Sequence, residues 1–139
     1  MAKIRQVGGR IFERMLKECD IEINSAQGRI MFALWQADGV SINELAKKTQ
    51  LKKSTLTSML DRLEKMGYVR RQRCRKDRRK ILIKRTKKDK TLESRYVELS
   101  QETTKLFYKE FSKNEIDRFE NDLARILDNL TSFEAGKQG

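Results

Sequence analysis

A mainly α fold with a small β-hairpin wing, read as a winged helix-turn-helix between long terminal helices, is the class this 139-residue sequence predicts. Three observations predict it. Apolar residues recur at helical spacing along most of the chain. The period changes to alternation only between Val69 and Ile83. Positive charge gathers on the same stretch: residues 47–90 hold 19 of the 32 Lys and Arg with only four acids, a net of +15, while the remainder carries −3.

Each element follows from local chemistry. Ile4, Val7, Ile11, Phe12, Met15, Leu16 and Cys19 form an apolar stripe over residues 4–19, and Gly8-Gly9 predicts a helix that starts only after them. Cys19, on that stripe, is expected to be buried. Asn24 and Gln27 have capping-box spacing and open a second helix. That helix contains the run Ile30 to Trp35, apolar nearly all round and so the expected centre of the domain, and Asp38-Gly39 ends it. Ser41 and Glu44 form a second capping box, for a short helix through about Lys48. After a turn, residues 53–66 place Leu56, Met59, Leu60 and Leu63 on one face, with Gly67 at a left-handed C-terminal cap. Val69, Arg71 and Arg73 alternate on one strand and Ile81 and Ile83 on another, with the turn at residues 74–78. A helix over about 86–110 follows. Ser112 and Glu115 then cap a last helix with apolar Ile116, Phe119, Leu123, Ile126, Leu127, Leu130 and Phe133, and residues 135–139 are expected to fray.

Composition narrows the function classes. A chain of this length is most simply one domain. There is no histidine and no proline, and the two cysteines have no CxxC spacing, so neither a disulfide framework nor a zinc site is predicted, and no cofactor. Without histidine, and with no spacing that marks a Ser-Lys or carboxylate dyad, an enzyme is not the expected class. The longest apolar run is too short for a bilayer, the start lacks a signal-peptide run, and the end helices carry mixed charge, so a cytoplasmic protein without a membrane partner is expected.

The charged stretch suits double-stranded DNA. The second helix of a helix-turn-helix enters the major groove. Its exposed face here would offer Ser54, Thr55, Thr57, Ser58 and Arg62, with Lys52 and Lys53 at its start, where free N–H groups favour a phosphate. The hydroxyls are permissive readers and Arg62 is the candidate for a guanine. The hairpin tip carries Arg73, Arg75, Lys76, Arg78 and Arg79, residues that a narrow minor groove attracts. Asp77, amid those cations, is expected to orient an arginine and fix the turn. The bland reading of any one basic run is a solvated face; charge, helix pair and hairpin in one segment favour binding. A non-sequence-specific architectural or RNA-binding protein is the alternative, since the same field would serve it.

These residues resemble the MarR family of transcription regulators. The likeness runs through Asn24-Ser25-Ala26-Gln27, Ser41 to Ala46, Ser54 to Thr57, Asp61 to Arg71, and Asp77-Arg78-Arg79 followed by Ile83 and Thr86. Arg85 and Asp89 stand where the family's wing signature carries leucine and glycine, and Ser58 where many relatives carry arginine. The resemblance implies one MarR-like domain over 1–139, with 24–86 as the DNA-binding lobe and 1–23 and 87–139 as dimerisation helices. It implies a homodimeric repressor on a palindromic operator, released by a small amphipathic or phenolic ligand or an oxidant. Ile11, Phe119, Leu123, Ile126, Leu127 and Leu130 would form the interface, and the stripes there are wider than a thin core needs. Phe12, Met15, Met31, Trp35 and Tyr96 would line the ligand pocket, although such residues at helical spacing more often form core. Cys74, between Arg73 and Arg75, is the candidate redox residue; with no resolving partner in the sequence, an inert thiol is the preferred reading for it and for Cys19.

Overall fold

Six helices and three short strands make up the chain in a computed structural model that describes residues 1–138. In order they are α1 (Ala2–Glu18), α2 (Ser25–Gln36), β1 (Val40–Ser41), α3 (Ile42–Thr49), α4 (Lys53–Lys65), β2 (Val69–Arg73), β3 (Ile81–Arg85), α5 (Asp89–Phe107) and α6 (Lys113–Gln138). The chain divides into two compact units, Met1–Gln101 and Glu102–Gly139.

The N-cap side chain accepts its backbone bond at all three expected places, and the reciprocal capping box is complete at two of them. Asn24 accepts from the Gln27 backbone N–H at 2.8 Å while the Gln27 side chain accepts from the Asn24 N–H at 3.0 Å. Ser112 and Glu115 make the same reciprocal pair. Ser41 accepts from the Glu44 N–H at 3.2 Å, but the Glu44 carboxylate turns back to the Ser41 hydroxyl, so that box is half-made. α1 and α4 both end in a Schellman motif. Ile21 N–H and Asp20 N–H bond the carbonyls of Leu16 and Lys17, and Tyr68 and Gly67 do the same to Leu63 and Glu64. Gly67, at φ +88°, takes the left-handed position that a β-carbon makes costly.

The first unit is built on one core. Leu16, Ile23, Ile30, Met31, Leu34, Leu45, Leu56, Leu60, Leu63 and Ile83 are fully buried in it. α2 packs on α3, α3 on α4, and α4 on β2, which holds the helix-turn-helix pair against the sheet. The sheet is antiparallel in the order β1-β3-β2, with Val69 opposite Arg85 and Arg73 opposite Ile81. A two-stranded hairpin was expected; β1 adds a third strand, pairing Val40 with Ile83 and Ser41 with Leu82.

Three other expectations are corrected. α1 begins before Gly8 and Gly9, because extending a formed helix adds a hydrogen bond for each residue fixed and offsets much of the glycine cost. Cys19 is exposed: it is the C-cap of α1, where Asp20 turns the chain at φ +54° and takes the stripe off its helical course. Residues 135–138 are helical rather than frayed, continuing the same hydrogen-bonded ladder; Gly139 lies outside the described residues.

One close approach is demanding. A β-carbon on Gly28 of α2 would lie 2.8 Å from the Tyr96 Cε2 and closer still to its Cζ and hydroxyl oxygen. Tyr96 is buried and held by Phe12 and Trp35, so it cannot swing away. Gly28→Ala is expected to lower stability by about 1–3 kcal/mol, the usual cost of overpacking. Denaturant midpoints would show it, and Tyr96→Phe in the same chain should recover only part, since Cζ remains.

In the second unit, Glu102–Gly139, α6 carries no buried side chain among residues 113–136, although the Tyr108 ring packs edge-on against Phe111 and Phe119. Phe119, Ile126, Leu127, Leu130 and Phe133 are between 47% and 64% exposed, and Leu123 is half-buried. No helix of the described residues is long and apolar enough to cross a membrane.

Candidate nucleic-acid interface

The amphipathic period of α4 decides what it shows to solvent. Leu56, Leu60 and Leu63 face the core at 0% exposure, which leaves Lys52, Lys53, Ser54, Thr55, Thr57, Ser58 and Arg62 exposed on the other side. Lys52 is the N-cap and makes no side-chain cap bond, so the first-turn N–H groups keep their capacity for an outside acceptor. The acids of the helix are occupied elsewhere. Arg71 on β2 donates to Asp61 at 2.8 Å and to Glu64 at 2.7 Å, and its backbone N–H donates to the same Glu64 carboxylate at 3.1 Å. This fork ties α4 to the hairpin and offsets the two carboxylates that would otherwise repel a phosphate.

The hairpin exposes its cations. Arg73, Arg75, Lys76, Arg78 and Arg79 are all exposed, as are Arg70 and Lys80. The turn is closed by Cys74 N–H to the Lys80 carbonyl at 2.9 Å and Lys80 N–H to the Asp77 carbonyl at 3.0 Å. The Asp77 carboxylate accepts from the Arg79 backbone N–H at 3.1 Å and from its Nε at 3.3 Å. Cys74 is half-buried within this turn.

A relation to known proteins follows the same stretch. Residues 23–81 match the model of the MarR family. The regulator TtmR of Methylorubrum extorquens is 34% identical over 87 residues, 63% of this chain but only 44% of that protein, so the chain spans less than half of it. The regulator SarZ of Staphylococcus aureus is 30% identical over 122 residues, which are 88% of this chain and 75% of SarZ. The chain belongs to the MarR family. It is therefore a DNA-binding transcriptional regulator with a winged-helix fold, from a family of regulators rather than enzymes. A cysteine-to-serine mutant of MarR from E. coli in complex with operator DNA superimposes with a TM-score of 0.81 at 25% identity, covering 91% of this chain and 89% of that one.

The MarR-family body places the other named residues as follows. Phe12 meets Tyr96 edge-on at 5.4 Å between centroids, Trp35 meets Tyr96 at 5.5 Å, Met31 is fully buried and Met15 packs against the core. Burial, then the nearby Glu13 carboxylate, pushes the Tyr96 phenol up to about 12, so it stays protonated at neutral pH. A cleft of about 310 Å³ is lined instead by Asp20, Ile21, Glu22, Tyr68, Lys88 and Arg95 among others. Four of its polar side chains are engaged: the Tyr68 hydroxyl donates to Glu22 at 2.8 Å, Lys88 donates to the Met66 carbonyl at 2.7 Å, and Arg95 donates to the Cys19 carbonyl. Ile11 is half-buried. The described residues contain no cluster of three or more metal-ligating side chains.

Two ties were not named from sequence. The Asp61–Glu64–Arg71 fork had a signal, acids three apart on a helix and a base on the strand that follows it. The second joins Arg85, Asp89 and Trp35, and only its departure from the family pattern marked it.

Proposed function

We propose that this chain is a homodimeric repressor that binds a palindromic operator, with α4 in the major groove and the β2–β3 wing reaching the minor groove. Residues 24–86 act as the DNA-binding lobe, and residues 1–23 and 87–139 pair the two copies. The observation that carries the reading is that every hydroxyl and cation named on α4 and the wing is exposed on one strongly basic segment. Exposed apolar residues on α6 and at Ile4 and Val7 of α1 support pairing through the terminal helices. Release by a small amphipathic or phenolic ligand would act at Phe12, Met15, Met31, Trp35 and Tyr96, and would have to part Trp35 from Tyr96. Oxidation would act at Cys74, inside the wing turn.

Selection from random double-stranded DNA at physiological salt tests the reading. An enriched inverted repeat with half-sites about 10 base pairs apart is the expected result, one helical turn separating two symmetry-related α4 helices. Enrichment of no motif would favour the architectural alternative. On the selected site, Arg75→Ala or Arg78→Ala is expected to weaken binding and to lower the slope of log affinity against log salt by about one for each phosphate no longer neutralised. An unchanged slope would show that the wing does not engage DNA.

A further inference from the structure

The wing's return strand ends in a buried ionic joint. Asp89, the first residue of α5, is fully buried. Its carboxylate accepts from the Trp35 indole N–H at 2.9 and 3.0 Å and from the Arg85 Nε at 2.5 Å. The Arg85 Nη2 continues to Glu93 at 2.5 Å, and its backbone N–H donates to Asp38 at 2.9 Å. One carboxylate thus gathers α2, β3 and α5, and the Asp38 carboxylate of the α2–β1 turn holds the same strand end by accepting from the Arg85 backbone N–H. Beside it, the Thr86 hydroxyl donates to the Gly67 carbonyl at 2.6 Å, closing the turn that leads into β2.

A buried carboxylate is costly unless every partner is in place, so such a joint tolerates one arrangement and resists small tilts. Tilts matter here because the basic turn projects beyond a root that the joint shares with the β1 pairing at Ile83 and Leu82. Ile81 lies four residue steps from Arg85, about 13 Å at 3.3 Å each, and the basic turn lies beyond. A tilt of about 10° at the joint moves Ile81 by about 2 Å, enough to lose hydrogen bonds that tolerate a few tenths of an ångström.

We propose that Arg85, Asp89 and Trp35 are positioning residues for DNA binding: they touch no DNA and hold the wing at the angle at which its arginines reach phosphates. This rests on the wing engaging DNA, as proposed above. Trp35 is the only tryptophan of the chain, so its emission reports the joint directly.

The test is a cycle between the joint and the wing tip. The joint is opened with Asp89→Asn, which leaves Arg85 its contact to Glu93, and also with the paired Arg85→Met and Asp89→Asn, which removes the buried charge and its cation together and leaves only the partly exposed Glu93 without a partner. Each is combined with Arg75→Ala plus Arg78→Ala. Trp35 emission and a thermal midpoint confirm that the protein is folded and the joint altered. The readout is the salt slope on a random-sequence DNA duplex. Opening the joint should lower the slope by about as much as removing the two arginines does, and the combined variant should lower it no further. A purely structural joint would lower stability and leave the slope of the folded protein unchanged, which overturns the proposal. Additive losses also overturn it, while leaving the wing reading intact. If the arginine variant alone leaves the slope unchanged, the wing is not engaged and both readings fall.

Discussion

Glutamate at both Leu123 and Leu127 is expected to convert the protein to monomers and to lower operator affinity by about 10³-fold or more, the usual gap between specific and non-specific binding. The reason lies in α6. Its 26 residues place Phe119, Leu123, Ile126, Leu127, Leu130 and Phe133 at helical spacing, yet none of residues 113–136 is buried and Leu127 is 60% exposed. An apolar stripe left open in one copy gains burial only by meeting another surface, and a second copy related by two-fold symmetry offers the matching stripe. Two carboxylates on that stripe would each face apolar side chains and their own symmetry mates, at a cost in desolvation and repulsion. Each monomer would keep one recognition helix and read half a site. Sedimentation and affinity measured on the same samples check both parts. A stable dimer would move the interface to other exposed apolar residues, of which Ile4 and Val7 on α1 are the first to try.

What could be read from the sequence was what local chemistry decides. The caps at Asn24, Ser41 and Ser112 are three-residue signals, and each is occupied as spacing implies. Gly67 needed only its place after the last core leucine of α4. The exposed face of that helix followed from the same period, because burial of Leu56, Leu60 and Leu63 fixes where Ser54, Thr57, Ser58 and Arg62 go. Long-range features were not legible. β1 is two residues long and exists through pairing with β3, more than forty positions away, and no alternation can show in two residues. The joint at Asp89 has the same origin: Trp35 and Asp89 lie 54 residues apart, and alone each looks like an ordinary aromatic and an ordinary helix-start acid. Cys19 failed for a different reason. The apolar period continued one residue past the point where Asp20 ends the helix, so the stripe was right and its last member was not.

Arg62→Ala carries the second large expected effect, a loss of about 1–3 kcal/mol on the best site, or about 5- to 150-fold, with discrimination relaxed at one base position. Arg62 is exposed near the end of the reading face of α4, two turns and about 12 Å along the axis from Ser54. Its nearest acids in sequence, Asp61 and Glu64, are already held by Arg71, and among the described residues no carboxylate pairs with Arg62 itself. The guanidinium would therefore reach DNA with all its donors available, and a bidentate pair to the O6 and N7 of guanine would use its planar fork. The hydroxyls around it accept several bases or phosphates, so removing one of them should cost less and change specificity little. Binding measured across single-base variants of the selected operator separates the roles. A loss confined to the cognate sequence at one position marks a base contact. An equal loss on random duplex, with a lower salt slope, would reassign Arg62 to the phosphate backbone and leave sequence reading to the hydroxyl face and to the shape of the DNA.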